Sequence, residues 1–348
     1  MIELFQLDTN PDNILLINFG QMGDVILSLP AMQAVARRFE GSHITALVGK
    51  ATAEVTQLSG LFDEVIEVDR VKLLRGPKLR STLEIFALAR DIRRRKFDFV
   101  IDLHSLPETN LLGYVSGAPL RLFANREGRS IDRLSNFRPK PPAEDKMINV
   151  TLNYLHAIEP LGISTEIEPP QLHTKESDRE RVEEFLPRSD HRRLTVALNP
   201  GAGHDSRRWD LSNFAGLAHR LAANPLLRVV VFLGPEEQAL RERVASNFPE
   251  NITVLPSMSL SGLAAALDQV DLIVSNDTGV MHLAAVMGVK VVVLMLDSAP
   301  DRFLPYFGSV EVLKAPQLSD ISVDRVYGRV VESMGLRPVR TEAPSEVV

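Results

Sequence analysis

The sequence predicts an α/β protein of two successive domains, each a parallel sheet with helices on both faces. Three observations carry this. Short apolar runs of strand length alternate with segments of helical periodicity. The alternation stops over residues 125–193, where the chain becomes Pro-rich and charged, and then restarts. A chain of 348 residues also exceeds the common size of one domain and fits two.

In chain order, Asn13 to Phe19 (NILLINF) is an apolar run closed by a glycine loop, as for a strand buried on both faces. Asp24 to Phe39 follows as a helix with a kink expected at Pro30. His43 to Val48 and Glu64 to Val68 read as strands. Leu83 to Arg95 reads as a helix whose basic end suits a helix C-terminus, and Phe97 to Leu103 as the next strand. Residues 136–145 (NFRPKPPAED) read as a loop and Ile148 to Leu161 as a helix. Pro169-Pro170 and the charged stretch from Lys175 to Arg193 place a boundary near residues 165–190. The expected division is 1–170 and 171–335, with 336–348 a frayed tail.

From Leu194 the pattern resumes. TVALNPG is a strand entering a glycine loop, Phe214 to Ala222 a helix, Arg228 to Leu233 a strand, and Glu236 to Asn247 a helix. Ile252 to Leu255 is a short strand. Ser261 to Gln269 is a helix capped by Ser259 or Ser261. Asp271 to Ser275 is a strand, Thr278 to Met287 a helix, Lys290 to Leu296 a strand and Val323 to Met334 a last helix.

Composition narrows the chemistry. The chain has 45% hydrophobic and 24% charged residues, a globular profile. It has no cysteine, which excludes disulfides, thiolate catalysis, zinc–thiolate sites and iron–sulfur clusters. The net charge of −6 is uneven: residues 1–150 hold 20 basic and 19 acidic side chains, residues 151–348 hold 19 and 26. That argues against nucleic-acid binding and leaves room for a local basic patch in the first half facing an anionic partner. The longest apolar runs, Leu194 to Leu198 and Val289 to Leu296, fall short of the roughly 20 residues of a spanning helix. Met1 to Asn13 carries no Lys or Arg and does not read as a signal peptide, so a cytoplasmic protein is expected.

Three segments can carry chemistry, each at a strand's carboxyl end, where ligands bind in doubly wound sheets. The first is Gly20-Gln21-Met22-Gly23-Asp24. Its GxxGD spacing is not the GxGxxG of dinucleotide folds. Asp24 there serves as a helix cap, as a catalytic carboxylate, or as both. The second is Asn199-Pro200-Gly201-Ala202-Gly203 followed by Arg207-Arg208-Trp209. It is an ordinary glycine turn with exposed arginines, or a phosphate cradle of backbone N–H groups and guanidinium. The third runs from Ser275 to His282 (SNDTGVMH), where a helix N-terminus favours phosphate and His282 shares a helix face with Thr278. GxxxxGK[ST], HExxH, GxSxG and a strand-end DxD are absent, so a diphosphate would be held by Arg, His and helix N-termini without metal.

Together these residues resemble glycosyltransferase family 9, the ADP-heptose:lipopolysaccharide heptosyltransferases. ILLINFGQMGDVILSLPAMQAV resembles the family's opening, and NPGAGHDSRRWDLSNFAGLAHRL and SNDTGVMHLAAVMGVKVVVL its two donor-domain motifs in order; FDFVIDLH with a following helix and APLRLF also fits. The similarity covers about residues 12–335. It implies the GT-B architecture, two facing Rossmann-like domains, with the acceptor on the first and the nucleotide sugar on the second. It implies metal-independent inverting transfer with no cofactor and with Asp24 as base. It assigns Gly201, Arg207, Glu237 (or Glu236), Asp277, Thr278, Gly279 and His282 to the donor, ADP-heptose. The acceptor is then a lipid-linked lipopolysaccharide core, with peripheral contact at the inner face of the cytoplasmic membrane. Its binding falls to Gly23, Arg75, Lys78, Arg80 and Arg126, with Arg121 and Arg129 as further basic candidates, or these side chains form only a solvated basic surface. Arg75, Lys78 and Arg80 read as loop residues, and Arg121, Arg126 and Arg129 as residues after a strand. Two departures stand out: Asn18 replaces the Lys or Arg that many members carry, and Arg207 replaces a Lys. Alternatives are a family 9 enzyme with another nucleotide sugar or a related epimerase, an NAD-dependent oxidoreductase, and a non-catalytic nucleotide-binding relative.

Overall fold

A computed structural model of the chain describes residues 10–75, 77–163, 168–187, 193–234 and 237–337. The chain separates into two compact units. The first runs to His173 and takes in Asp301–Tyr306; the second comprises Thr174–Pro300 and the chain from Phe307 onward. The excursion of 301–306 into the first unit is held by an Arg302–Glu144 pair at 3.7 Å and by Asn149 Nδ2, which donates to the Leu304 carbonyl at 3.0 Å.

The first unit is a five-stranded parallel sheet of β1 (Asn13–Asn18), β2 (His43–Gly49), β3 (Glu64–Val68), β4 (Phe99–Asp102) and β5 (Leu120–Phe123) in the order β3-β2-β1-β4-β5. Its helices are α1 (Met22–Arg38), α2 (Ala53–Leu58), α3 (Arg70–Arg75), α4 (Lys78–Arg94), α5 (Pro107–Val115) and α6 (Val150–Ile158). Ile14, Leu15, Leu16 and Ile17 are all fully buried. A central parallel strand is covered on both faces, so its apolar run is continuous rather than alternating.

The second unit opens with α7 (Glu176–Glu183) and has a six-stranded parallel sheet: β6 (Leu194–Asn199), β7 (Leu227–Val231), β8 (Thr253–Val254), β9 (Leu272–Asn276), β10 (Lys290–Leu296) and β11 (Val310–Ala315). Its order is β11-β10-β9-β6-β7-β8. The helices α8 (Leu211–Ala222), α9 (Gln238–Asn247), α10 (Leu260–Leu267), α11 (Gly279–Val286) and α12 (Val323–Ser333) complete it. Trp209 is wholly buried, its indole N–H donating to the Ile321 carbonyl at 2.9 Å and its ring edge-on to Phe214 at 4.9 Å.

The α/β class and the two parallel sheets agree with the sequence reading. Four local expectations change. α1 starts at Met22, before the expected start at Asp24, which becomes its third residue, and the helix runs on through Pro30. Arg75 ends α3, while Lys78 and Arg80 lie in α4; they are helical, not loop, residues. Pro77, with φ −57°, is the N-cap of α4, where its missing N–H costs no helical hydrogen bond. Arg121 lies inside β5 rather than after it, its guanidinium donating to the carbonyls of Ala118 and Leu134. The charged stretch after Lys175 contains a helix, α7, of which only Val182 is buried.

Candidate active site

In each sheet the strand order reverses at one place: between β1 and β4 in the first unit, and between β6 and β9 in the second. The carboxyl ends of these strand pairs are where doubly wound sheets bind ligands. The segments singled out in the sequence lie there.

In the first unit, Asn18 closes β1 and is fully buried. Its Oδ1 accepts from Gly20 N at 2.9 Å and its Nδ2 donates to Ser28 Oγ at 2.9 Å. Asn18 therefore shapes the turn into α1. A Cβ on Gly20 would fall 2.5 Å from the Asp24 Cβ, so only glycine lets Asp24 fold back over the turn. Asp24 Oδ2 accepts from Gln21 N at 3.1 Å, which satisfies a free N–H of the first turn and fixes the carboxylate, itself half-buried. Gly23 precedes it in the same turn.

Beside Asp24 stands Tyr154 of α6, whose buried hydroxyl bonds with Asn18 and Arg126. Burial, and next the Asp24 carboxylate, push this phenol up to about 12. At the end of β4, Asp102 is fully buried. Its Oδ1 accepts from Ser105 N at 2.8 Å and its Oδ2 from Asn110 Nδ2 at 2.8 Å. Burial pushes it up to about 6, against these bonds and Arg126. Ser105 takes φ +47°, an unusual conformation that the Asp102 bond supports. Asn110 Oδ1 in turn accepts from Ile131 N at 2.7 Å, tying the segment after β5 to α5.

His104 is 8% exposed, and neither ring nitrogen has a partner among the described residues. Burial, then Arg126, Arg70 and Arg129, push it down to about 3, so it is neutral. Arg70 Nη1 donates to the Phe19 carbonyl at 2.6 Å, and its guanidinium stacks on the Phe19 ring at 5.5 Å. A neutral imidazole among three guanidiniums offers one donor, one acceptor and a positive field, a setting suited to an anionic, hydroxyl-rich ligand.

In the second unit, Asn199 ends β6 and donates through Nδ2 to Ser275 Oγ at 2.9 Å and Thr278 Oγ1 at 3.2 Å. Asn276, fully buried, donates to the carbonyls of Pro200 (3.2 Å) and Gly201 (3.0 Å) and accepts from Trp209 N at 3.0 Å. It thereby clamps both ends of the loop carrying Arg207. Arg207 Nη1 lies 3.5 Å from Asp277 Oδ2 and is well exposed. The Glu237 carboxylate fills a slot between two glycines: a Cβ on Gly201 would come 2.7 Å from Oε1, and one on Gly234 2.6 Å from Oε2. Gly279 starts α11, and His282 lies one turn in, 6% exposed, with its Nδ1 unpartnered among the described residues. Burial pushes His282 down to about 4.

Gly201, Arg207, Glu237, Asp277, Thr278, Gly279 and His282 thus gather at the adjoining ends of β6, β9 and β7. In the first unit Asp24 and Arg126 both act on the Tyr154 hydroxyl, and Gly23 precedes Asp24 in α1. No hydrogen bond or ion pair joins Lys78 to them among the described residues. The side chains of Arg75 and Arg80, and Glu236 entirely, lie outside the described residues. Sequence reasoning missed Tyr154, Asp102, Asn110 and Arg70; only His104, in the IDLH strand end, carried a local signal. No group of three His, Asp or Glu placed to hold a metal occurs among the described residues.

The family model of glycosyltransferase family 9 (heptosyltransferase) matches residues 85–325, more than half of the chain. The chain belongs to this family. It is a glycosyltransferase. Lipopolysaccharide heptosyltransferase 1 of Salmonella typhimurium is 24% identical over 91% of the chain and 99% of its own length. The lipopolysaccharide core heptosyltransferase OpsX of Haemophilus influenzae is 21% identical, over 85% and 82%. Among solved structures, a family 9 glycosyltransferase of Veillonella parvula superposes with a TM-score of 0.78 at 24% identity, covering 92% of this chain and 96% of that one. Escherichia coli heptosyltransferase WaaC, solved with ADP-2-deoxy-2-fluoro heptose, gives 0.73 at 22%, covering 92% and 99%. The GT-B fold is shared with this family 9 glycosyltransferase and this heptosyltransferase.

Proposed function

We propose that this glycosyltransferase transfers heptose from ADP-heptose to a lipopolysaccharide inner-core acceptor, with inversion, without a metal, and with Asp24 as general base. The supporting observation is the Asp24 carboxylate at the β1 switch point, one oxygen committed to Gln21 N, beside Tyr154 and Arg126. The relatives named heptosyltransferases, which span nearly the whole chain, support the sugar, and the ADP-heptose analogue bound to WaaC supports the donor.

In the proposed step, an acceptor hydroxyl oxygen attacks the anomeric carbon and gives its proton to Asp24. The bond from that carbon to the diphosphate oxygen breaks, and its electron pair leaves with ADP. Arg207 and the N–H groups at Thr278–Gly279 stabilise the charge growing on the diphosphate, and His282 donates from its exposed-side nitrogen. Glu237 is assigned to the ribose. Gly23, Arg126, His104 and Arg129 are assigned to the acceptor, with Lys78, Arg75 and Arg80 as further basic contacts. A lipid-linked acceptor would require the first unit to work at a membrane surface.

Asp24→Asn should lower turnover about 10²–10⁴-fold and leave ADP affinity within about twofold. Near-normal turnover would remove Asp24 as base. Calorimetric titration with ADP, UDP, GDP and NAD, with and without Mg²⁺, tests the donor: preference for UDP or GDP discards ADP-heptose.

A further inference from the structure

We propose that the second unit carries an anion site away from the donor loops: a cleft at the amino-terminal ends of β6 and β7 that takes a phosphate group. The cleft has a volume of about 390 Å³, and Arg193, Asn224, Arg228 and Asn251 supply its polar lining. Leu194 and Leu227 pair where the two strands begin, whereas Asn199 and the Gly201 loop lie at the far end of β6. A strand of 6 residues spans about 20 Å, so a ligand in this cleft leaves the donor loops open.

Arg228 sets the charge of the ligand. It is half-buried, and neutral groups hold its guanidinium in place. Nε and Nη2 donate to Thr195 Oγ1 at 3.2 and 2.9 Å, and Nη1 donates to the Pro187 carbonyl at 3.0 Å. Each terminal nitrogen keeps one N–H without a partner, and no ion pair reaches this guanidinium among the described residues. Asp271, at the same edge of the sheet, spends its Oδ2 on Thr195 N at 2.7 Å. A fixed, partly buried positive charge without a counter-charge is stabilised by a bound anion. Asn224, 3% exposed, accepts from Leu226 N at 3.0 Å through Oδ1, so the group it has left for the cleft is its Nδ2 donor. Asn251 Nδ2 donates to the Ala222 carbonyl at 3.5 Å and so covers one of the carbonyls at the C-terminus of α8 that would repel an anion. The exposed Arg193 adds a second positive charge. Donors arriving from several residues match the tetrahedral oxygens of phosphate better than the two coplanar oxygens of a carboxylate. The site shares no residue with the proposed transfer and does not depend on that reading.

The experiment follows amide NMR shifts of the full chain as inorganic phosphate, or separately glycerol phosphate, is added at constant ionic strength. Saturable shifts are expected at Leu194, Asn224, Leu227, Arg228 and Asn251. Equal or tighter binding of the inorganic ion assigns the site to free phosphate, and tighter binding of the ester assigns it to a phosphate carried on a larger molecule. Arg228→Gln should weaken the binding roughly tenfold. Because Arg228 also ties Thr195 to Pro187, Arg193→Gln at the exposed position gives a second reading: it should weaken the binding severalfold and leave thermal melting without phosphate unchanged. The proposal is overturned if neither probe gives saturable shifts in this region, if the shifts fall only on residues 201–207 and 277–282, or if both variants bind phosphate as the parent does.

Discussion

Glu237 shows how tightly single residues are specified here. Its carboxylate fits because Gly201 and Gly234 have no Cβ, and an alanine at either would displace it. If Glu237 holds the donor ribose, Gly201→Ala and Glu237→Ala should each weaken ADP binding roughly tenfold. The double variant should then be no weaker than either single one, as titration calorimetry would measure; fully additive losses would break the link. His282 makes a second residue-scale prediction. Its folded pKa, pushed down by burial to about 4, lies below the unfolded value near 6.5. As pH falls through that window the unfolded chain takes the proton first, so stability is lost between about pH 6.5 and pH 4, by about 3 kcal/mol at the lower end. His104 acts in the same direction, while Asp102, pushed up to about 6, acts oppositely because the folded chain then takes the proton first. Denaturant melts should show His282→Gln gaining about 3 kcal/mol relative to the parent from pH 7 to pH 4; parallel curves would refute the assignment. Asp24, Gly201, Arg207 and Thr278 were legible in the sequence because their motifs are local and end a strand. Tyr154 and Arg70 were not, because α6 and α3 reach the Asp24 turn only through tertiary packing.

At the scale of elements, sequence reasoning found the buried central strands and also the half-buried edge strands β3 and β8, but it bounded no strand at β5 and missed β11. β11 (VEVLKA) pairs with only one neighbour and alternates charge with apolar residues, so no continuous apolar run marks it. α7 was missed for a related reason: its sequence ESDRERVE is charged throughout, and packing on α10 holds it in place. Arg75, Lys78 and Arg80 read as loop residues, yet they lie in α3 and α4, with Pro77 as the N-cap of α4. What the elements do jointly is clearest at Asn110. From α5 it joins the buried Asp102 of β4 to Ile131 N, beyond β5, and so supports the segment that carries Arg126 and Arg129. Asn110→Ala leaves Asp102 and the Ile131 N–H each short of a partner. It should cost about 1–3 kcal/mol and speed amide exchange over residues 124–135. If that segment positions acceptor groups, the acceptor KM rises while ADP affinity holds. Unchanged exchange there would show that the segment is held by other means.

For the whole molecule, the uneven charge poses a question that the site answers. The half assigned to an anionic donor is the acidic half, with 26 acids to 19 bases, so its overall field opposes a diphosphate. On the proposed donor assignment, attraction is local, from Arg207 and the N-terminus of α11. Arg207 rests 3.5 Å from Asp277 at 60% exposure, a pairing too solvated to hold it strongly, so the guanidinium can turn to a phosphate at little cost. Binding should therefore depend on one mobile cation more than on net charge. Trp209, the chain's single tryptophan, lies two residues from Arg207 and offers a fluorescence signal for the titration. ADP affinity should fall as salt rises, because an exposed guanidinium is screened. Arg207→Ala should weaken binding roughly tenfold and flatten the salt dependence. Arg207→Lys should restore the salt dependence through its charge but not the full affinity, since a single ammonium cannot bridge two phosphate oxygens in a planar fork. If Arg207→Ala keeps the parent's salt slope, the attraction comes from the helix terminus and the backbone of the Gly201 loop, and Arg207 is a surface residue.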